Sequence, residues 1–292
     1  MAKSPAHKWG QIIGDFLEEV FATELSRFAR KHKLYLDTQG DRPARSGKKV
    51  SWIDSFENSH DLDFVLERNG TKKRIGDPVA FIESAWRRYT KHSRNKAQEI
   101  QGAVLPLVAT HKNFAPFMGV MLAGEFTGGA LNQLRSLGFH VLYFPYDLIL
   151  QSFKRYGIDA STEEYTTEKD FQNKIDKWEK FDEKKKLANY LLTLNKVEVN
   201  TFFESLEKAV SRYIESISVL PLHGASNTLT TVKEAIDFIE SYQSENESHP
   251  VLKYEIIVRY NNKDKVEGIF NSQESAIKFL ESYAGPKPKY KR

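Results

Sequence analysis

Residues 78–86, PVAFIESAW, carry apolar side chains on both faces of an extended strand: Val79, Phe81 and Ala85 on one side, Ala80, Ile82 and Trp86 on the other. Side chains alternate across a strand, so a segment apolar in both directions reads as a central strand covered on each face. That requirement favours a layered α/β arrangement in which helices flank a sheet. Glu83 breaks the pattern, an acid where a core residue belongs.

The segment before it, DLDFVLE at 61–67, alternates as a half-buried strand. Leu62, Phe64 and Leu66 lie on one face, and Asp61, Asp63, Val65 and Glu67 on the other. If the two segments form an antiparallel hairpin whose charged turn is centred near Lys73, Asp63 faces Glu83. Two carboxylates about 5 Å apart across a strand pair repel each other, and are costly out of water unless a cation or a shared proton compensates. Hard oxygen ligands on adjacent strands suit Mg²⁺. The alternative is a solvated hairpin edge with both acids facing water.

The remaining elements follow from periodicity and caps. Ser4 and Pro5 suit a helix start, and Trp9, Ile13, Phe16, Leu17, Val20, Phe21, Leu25 and Phe28 recur at helical spacing to about residue 32. A short strand KLYLDT follows, then a basic loop and the hairpin. A helix is expected over about 87–110, a buried strand in FMGVMLAGEF, a helix in GGALNQLRSLG and a strand in FHVLYFPY. The expected order is αβββαβαβ, a mixed sheet flanked by helices.

The second half differs in texture. Residues 161–196 are charge-dense, yet Phe171, Ile175, Trp178 and Phe181 keep helical spacing, which predicts an exposed helix. Another helix is expected over 198–216, followed by a small βαββα module with hairpin LKYEIIVRYNNKDKVEGIF. The expected division is therefore a core at 1–155, a charged helical region at 156–216 and a small α/β module at 217–292. Target recognition, dimerisation and plain packing all remain open as the module's role.

Composition narrows the setting. The absence of cysteine excludes disulfides and thiolate zinc sites, in keeping with a reducing cytoplasm. The longest apolar runs are far too short to cross a bilayer, and MAKSPAHK leads directly into an amphipathic helix, so a soluble protein without signal peptide is expected. A net charge of +4 permits an anionic partner without demonstrating one.

The order of elements and the two acids resemble the PD-(D/E)xK nuclease superfamily, and the type II restriction endonucleases in particular. In that superfamily an aspartate begins one strand of a hairpin and a glutamate-x-lysine unit ends the next, before a helix packed on the sheet. Asp63 matches the aspartate and Glu83 the glutamate; Ala85 stands where the lysine is usual. The resemblance covers residues 5 to about 150. It implies a restriction-endonuclease-like fold and Mg²⁺-dependent hydrolysis of phosphodiester bonds in double-stranded DNA, by a homodimer able to cut both strands of a symmetric site. The departure at Ala85 keeps a second reading in view, a nuclease-fold DNA-binding protein that has lost cleavage.

Under the resemblance, Asp63 and Glu83 are the metal ligands and Lys96, one turn before Ile100 on the following helix, is the relocated catalytic lysine. Lys91 points elsewhere by helical spacing. Glu18 or Glu19 would supply the acid that the family's N-terminal helix often contributes. Arg42, Arg45, Lys48 and Lys49 in the basic loop and Arg88 at the helix start are expected to touch DNA phosphates. Asp77 fits a turn better than a metal site, Asp61 would serve at most beside the vacant lysine position, and Glu125 fits a loop.

Overall fold

The structure, a computed structural model, describes residues 4–163, 165–222, 224–245 and 253–283. Helix α1 (Pro5–His32) starts where Ser4 accepts from the His7 N–H at 3.3 Å and Pro5 takes the first turn. It stops at Lys33, which turns into the left-handed region at φ 55°. Strand β1 (Tyr35–Thr38) follows, then β2 (Val50–Ile53), β3 (Ser59–Leu62), β4 (Phe64–Arg68) and β5 (Asp77–Arg87). Next come α2 (Ser93–Thr110), β6 (Phe117–Gly124), α3 (Gly128–Ser136), β7 (His140–Pro145), α4 (Tyr146–Arg155), α5 (Glu168–Glu179), α6 (Lys184–Leu194) and α7 (Lys196–Val210).

Five strands form one mixed sheet in the order β1-β4-β5-β6-β7. β4 pairs antiparallel with β1 and β5, whereas β5, β6 and β7 run parallel. Both faces are buried. Phe64, Leu66, Ile82, Met121 and Phe144 pack with α1 and with residues of α4, α5, α6 and α7; Val65, Phe81, Ala85, Val120 and Leu122 pack with α2, α3 and the β2–β3 hairpin. The two-sided apolar pattern of 78–86 therefore sits in the sheet interior, as expected of it.

Several boundaries depart from the sequence reading. The expected strand 61–67 is broken at Asp63, with β3 pairing to β2 and β4 to the main sheet. The break sends Leu62 to the α2 side, whereas Phe64 and Leu66 face α1. Parallel pairing to β6 carries β5 on to Arg87, so the helix expected from 87 begins only at Ser93. The hairpin β2–β3 and helix α4 were not expected. Phe171, Ile175 and Trp178 are buried in the same core cluster as α1, so the segment expected as one exposed helix is two helices with a covered face.

The chain divides into two compact units rather than three regions. The first runs to Val210 without residues 111–115, so most of the expected separate region 156–216 belongs to it. The second unit comprises 111–115 and the chain from Ser211. It contains β8 (Ile214–Pro221), β9 (Asn227–Leu229), α8 (Val232–Glu245), β10 (Tyr254–Tyr260), β11 (Lys265–Phe270) and α9 (Gln273–Glu281). Its antiparallel sheet has the order β11-β10-β8-β9, the expected βαββα module with the short β9 added. β8 begins at Ile214, inside the helix expected to reach 216.

Candidate functional site

The ladder between β4 and β5 pairs Phe64 with Ile82 and Val65 with Phe81, which brings Asp63, at the bend before β4, against Glu83. The two acids are interlocked through the backbone. The Asp63 N–H donates to Glu83 Oε1 at 3.2 Å, while Asp63 Oδ2 accepts from the Ser84 N–H at 2.7 Å and the Ser84 hydroxyl at 3.0 Å. Each carboxylate is thereby fixed by the other's strand. Ser84 was not singled out in the sequence, because a serine in a strand has no signature of this kind.

Glu83 is only 6% exposed. Burial first, and then the charge of Asp63, pushes its carboxyl up to about 8, against the opposing influence of Lys96. Lys96 lies in the first turns of α2, its side chain 19% exposed and its ammonium 3.5 Å from Glu99. The lysine proposed to replace the absent one therefore stands within electrostatic reach of the acid pair. Ala85, at the usual lysine position, is packed in the core with Phe81 and Ala97.

The N-terminal helix contributes as well. Burial, then the charges of Asp63 and Asp15, raises the Glu18 carboxyl above its ordinary range. Glu19 is exposed. Of the two acids weighed in the sequence, Glu18 is the one that senses Asp63.

The donor chemistry fits a hard divalent cation. Asp63 and Glu83 offer carboxylate oxygens side by side, and the raised carboxyl of Glu83 reports burial first and then the charge of Asp63. Among the described residues, no three His, Asp or Glu side chains gather into a ready-made metal cage. Mg²⁺ commonly uses one or two carboxylates and completes its shell with water and substrate phosphate, so two acids suffice for that mode.

The expected DNA contacts divide sharply. Arg42 and Arg45 do not face solvent. The Arg42 side chain is 2% exposed, 2.7 Å from Asp37 Oδ2, with Nη2 donating to Glu67 Oε2 at 2.8 Å. Arg45, 6% exposed, donates to Asp37 at 3.1 Å and to the carbonyls of Thr38, Gly40 and Gly47. Their acidic partners come from separate strands, which local sequence does not reveal. Lys48 and Lys49 are exposed, and Lys49 lies 2.6 Å from Asp61.

Arg88 is half-buried just beyond the end of β5 rather than at a helix start. Its guanidinium lies 4.4 Å from the Tyr89 ring centroid and 5.6 Å from that of Phe171, and its buried Nε has no hydrogen-bond partner. Burial holds it below the ordinary arginine range. Asp61 is engaged by Lys49 and by Ser51, its partner across β2–β3, so it does not lie across from Ala85. Asp77 begins β5 and accepts from Asn69, in line with a turn role. The Glu125 N–H donates to the Arg87 carbonyl just past β6. Lys91 and Arg94 are exposed.

No protein-family model matches the sequence, and no curated protein matches it significantly. A crystal structure of a protein of unknown function, AF1548, is similar at 12% identity over 63% of this chain and 99% of its own, with a TM-score of 0.29. That likeness is too slight to bear on fold or function. Among the described residues no helix is long and apolar enough to cross a membrane.

Proposed function

We propose that the first unit is a metal-dependent endonuclease that hydrolyses phosphodiester bonds of double-stranded DNA, of the type II restriction class, and that it works as a homodimer. The observation that carries this reading is the Asp63–Glu83 pair: two carboxylates locked together by backbone hydrogen bonds, one of them buried and pushed up to about 8. A fold that only needed packing at position 83 gains nothing from a buried acid beside a second one.

In this reading Asp63 and Glu83 would hold Mg²⁺, which would supply polarisation of the scissile phosphate and a more acidic water molecule. Burial and the neighbouring Asp63 raise the Glu83 carboxyl, so holding a cation there would favour its ionised form. Lys96 places a positive charge beside the acids, where negative charge grows on the phosphate oxygens as the bond breaks. Ser84 keeps Asp63 oriented through two hydrogen bonds. Lys48, Lys49 and Arg88 remain as phosphate contacts; Arg42 and Arg45 are withdrawn from that role.

The test is incubation of the purified chain with plasmid and phage DNA, with Mg²⁺ and with chelator, and sequencing of the ends produced. Cleavage at fixed positions only with Mg²⁺ is expected. Tight DNA binding without cleavage would instead favour the cleavage-deficient nuclease-fold protein, and neither binding nor cleavage would overturn both readings.

A further inference from the structure

The hairpin that carries the acid pair ends, away from it, in a turn whose cations the reaction above leaves unused. Thr71, Lys72, Lys73 and Arg74 are all exposed, and the turn is closed by backbone bonds between Thr71 and Arg74. Beneath it lies the buried Arg42. Its Nη2 donates to the Thr71 carbonyl at 2.9 Å and to the Arg74 carbonyl at 2.9 Å, and the Ala44 N–H donates to the Lys72 carbonyl at 3.1 Å. Three carbonyls of a four-residue turn are thus drawn inward onto the 42–45 segment.

The support continues below Arg42. Glu67, fully buried, accepts from Arg42 and also from the Gly76 N–H at 2.7 Å. A Cβ on Gly76 would stand 2.2 Å from the Arg68 carbonyl oxygen, and one on Gly70 would stand 2.4 Å from Glu67 Oε2, so both glycines are demanded by close approach. Burying four charges under a surface turn is a poor route to stability compared with apolar packing. What it does provide is one fixed shape for a segment that would otherwise move.

The same network shapes the surface charge. Asp37 and Glu67 are consumed by Arg42 and Arg45 in the interior. Outside, Lys48, Lys72 and Lys73 are exposed, while the exposed Arg74 donates from Nε and Nη2 to the Asn69 carbonyl at 3.1 and 2.6 Å. At about 3.3 Å per residue, the extended part of the hairpin from Asp63 to Arg68 spans roughly 17 Å, and the turn lies beyond it.

We propose that the 71–74 turn is a preset arm that contacts the phosphate backbone of duplex DNA through Lys72 and Lys73, and that Arg42 is the positioning residue that sets its shape. The inference rests on the DNA-cleaving reading of the acid pair, and it gives the buried arginine a role opposite to the direct contact its sequence suggested.

The test is the salt dependence of binding to a short mixed-sequence duplex, without divalent cation, for the full chain and for Lys72→Ala/Lys73→Ala. Losing two phosphate contacts should weaken binding about tenfold at moderate salt and lower the slope of log affinity against log salt by about 2. Both lysines are exposed, so this variant should fold normally. Arg42→Lys should also weaken binding, but should add nothing in the Lys72→Ala/Lys73→Ala background. A general structural defect would weaken binding in both backgrounds.

An unchanged slope in the double-lysine variant, with the parent chain binding DNA, would overturn the arm and leave the nuclease reading standing. A parent chain that does not bind DNA would overturn both.

Discussion

Two pairs of buried or half-buried acids lie at the two ends of the β4–β5 hairpin, one of them completed by Asp37 of the adjacent β1, and they are treated in opposite ways. At the turn end, Glu67 and its neighbour Asp37 meet two arginines, and every charge has a partner within hydrogen-bond distance. At the other end, Asp63 and Glu83 meet each other, two hydrogen-bond donors of Ser84 and, at longer range, Lys96. The first pair is a finished electrostatic structure. The second meets its cation only at longer range, and on the proposed reading that difference separates an acid used to hold the fold from one kept for a ligand.

The largest effect expected from this contrast is on catalysis. Asp63→Ala and Glu83→Ala should each reduce Mg²⁺-dependent cleavage by about 10⁴-fold, roughly 5 kcal/mol of transition-state stabilisation, while the chains stay folded and bind DNA. Parental cleavage rates in either variant would end the site assignment. Next in size is the compensated pair. Arg42→Ala should cost about 3–5 kcal/mol in urea denaturation, because it leaves the buried Glu67 without its cation and Asp37 with Arg45 alone. A loss below about 1 kcal/mol would show the network to be dispensable.

A smaller effect concerns pH in the metal-free chain. The carboxyl of Glu83 is raised in the folded state from about 4.5 to about 8, so the folded protein holds this proton more tightly than the unfolded one. Its contribution to stability is full below about pH 4.5 and is lost as the pH rises towards 8. Glu83→Gln should remove that decline and be more stable than the parent above pH 8, by about 1.4 kcal/mol for each pH unit by which the folded carboxyl is raised. Parallel stability curves for the two proteins across this range would contradict the burial argument. The smallest expected effect belongs to Lys96→Ala: a cleavage rate at saturating enzyme lowered about tenfold, roughly 1.4 kcal/mol, with affinity little changed. An unchanged rate would leave the lysine as no more than a partner of Glu99.

How far the sequence could be read follows the same line. Segment type was legible wherever a periodic apolar pattern or a cap marked it: α1 runs over Pro5–His32 as its spacing predicts, and the two-sided apolar strand lies in the middle of the sheet. The approach of Asp63 to Glu83 matches the reading of the hairpin, although the ladder shifts by one residue between Leu66 and Glu67, so the turn alone does not set that register. The break at Asp63 was not, since β3 leaves the main sheet to pair with β2, a partner set by tertiary contact. The same limit explains Arg42 and Arg45. A basic loop reads alike whether its side chains face solvent or turn inward, and the acids that draw them in come from β1 and β4, up to 25 residues away. The fold of α5–α7 onto the first unit was hidden by their charged outer faces.

The central claim, that the acid pair is short of a cation which a metal supplies, is tested most directly by calorimetric titration of the DNA-free chain with Mg²⁺ or Mn²⁺ at pH 7, for the parent, Glu83→Gln and Asp63→Ala. In the parent, binding with release of a proton is expected, visible as a heat that depends on the ionisation enthalpy of the buffer; neither variant should bind at that site. Equal metal binding by the parent and both variants, or binding without proton release, would contradict the account.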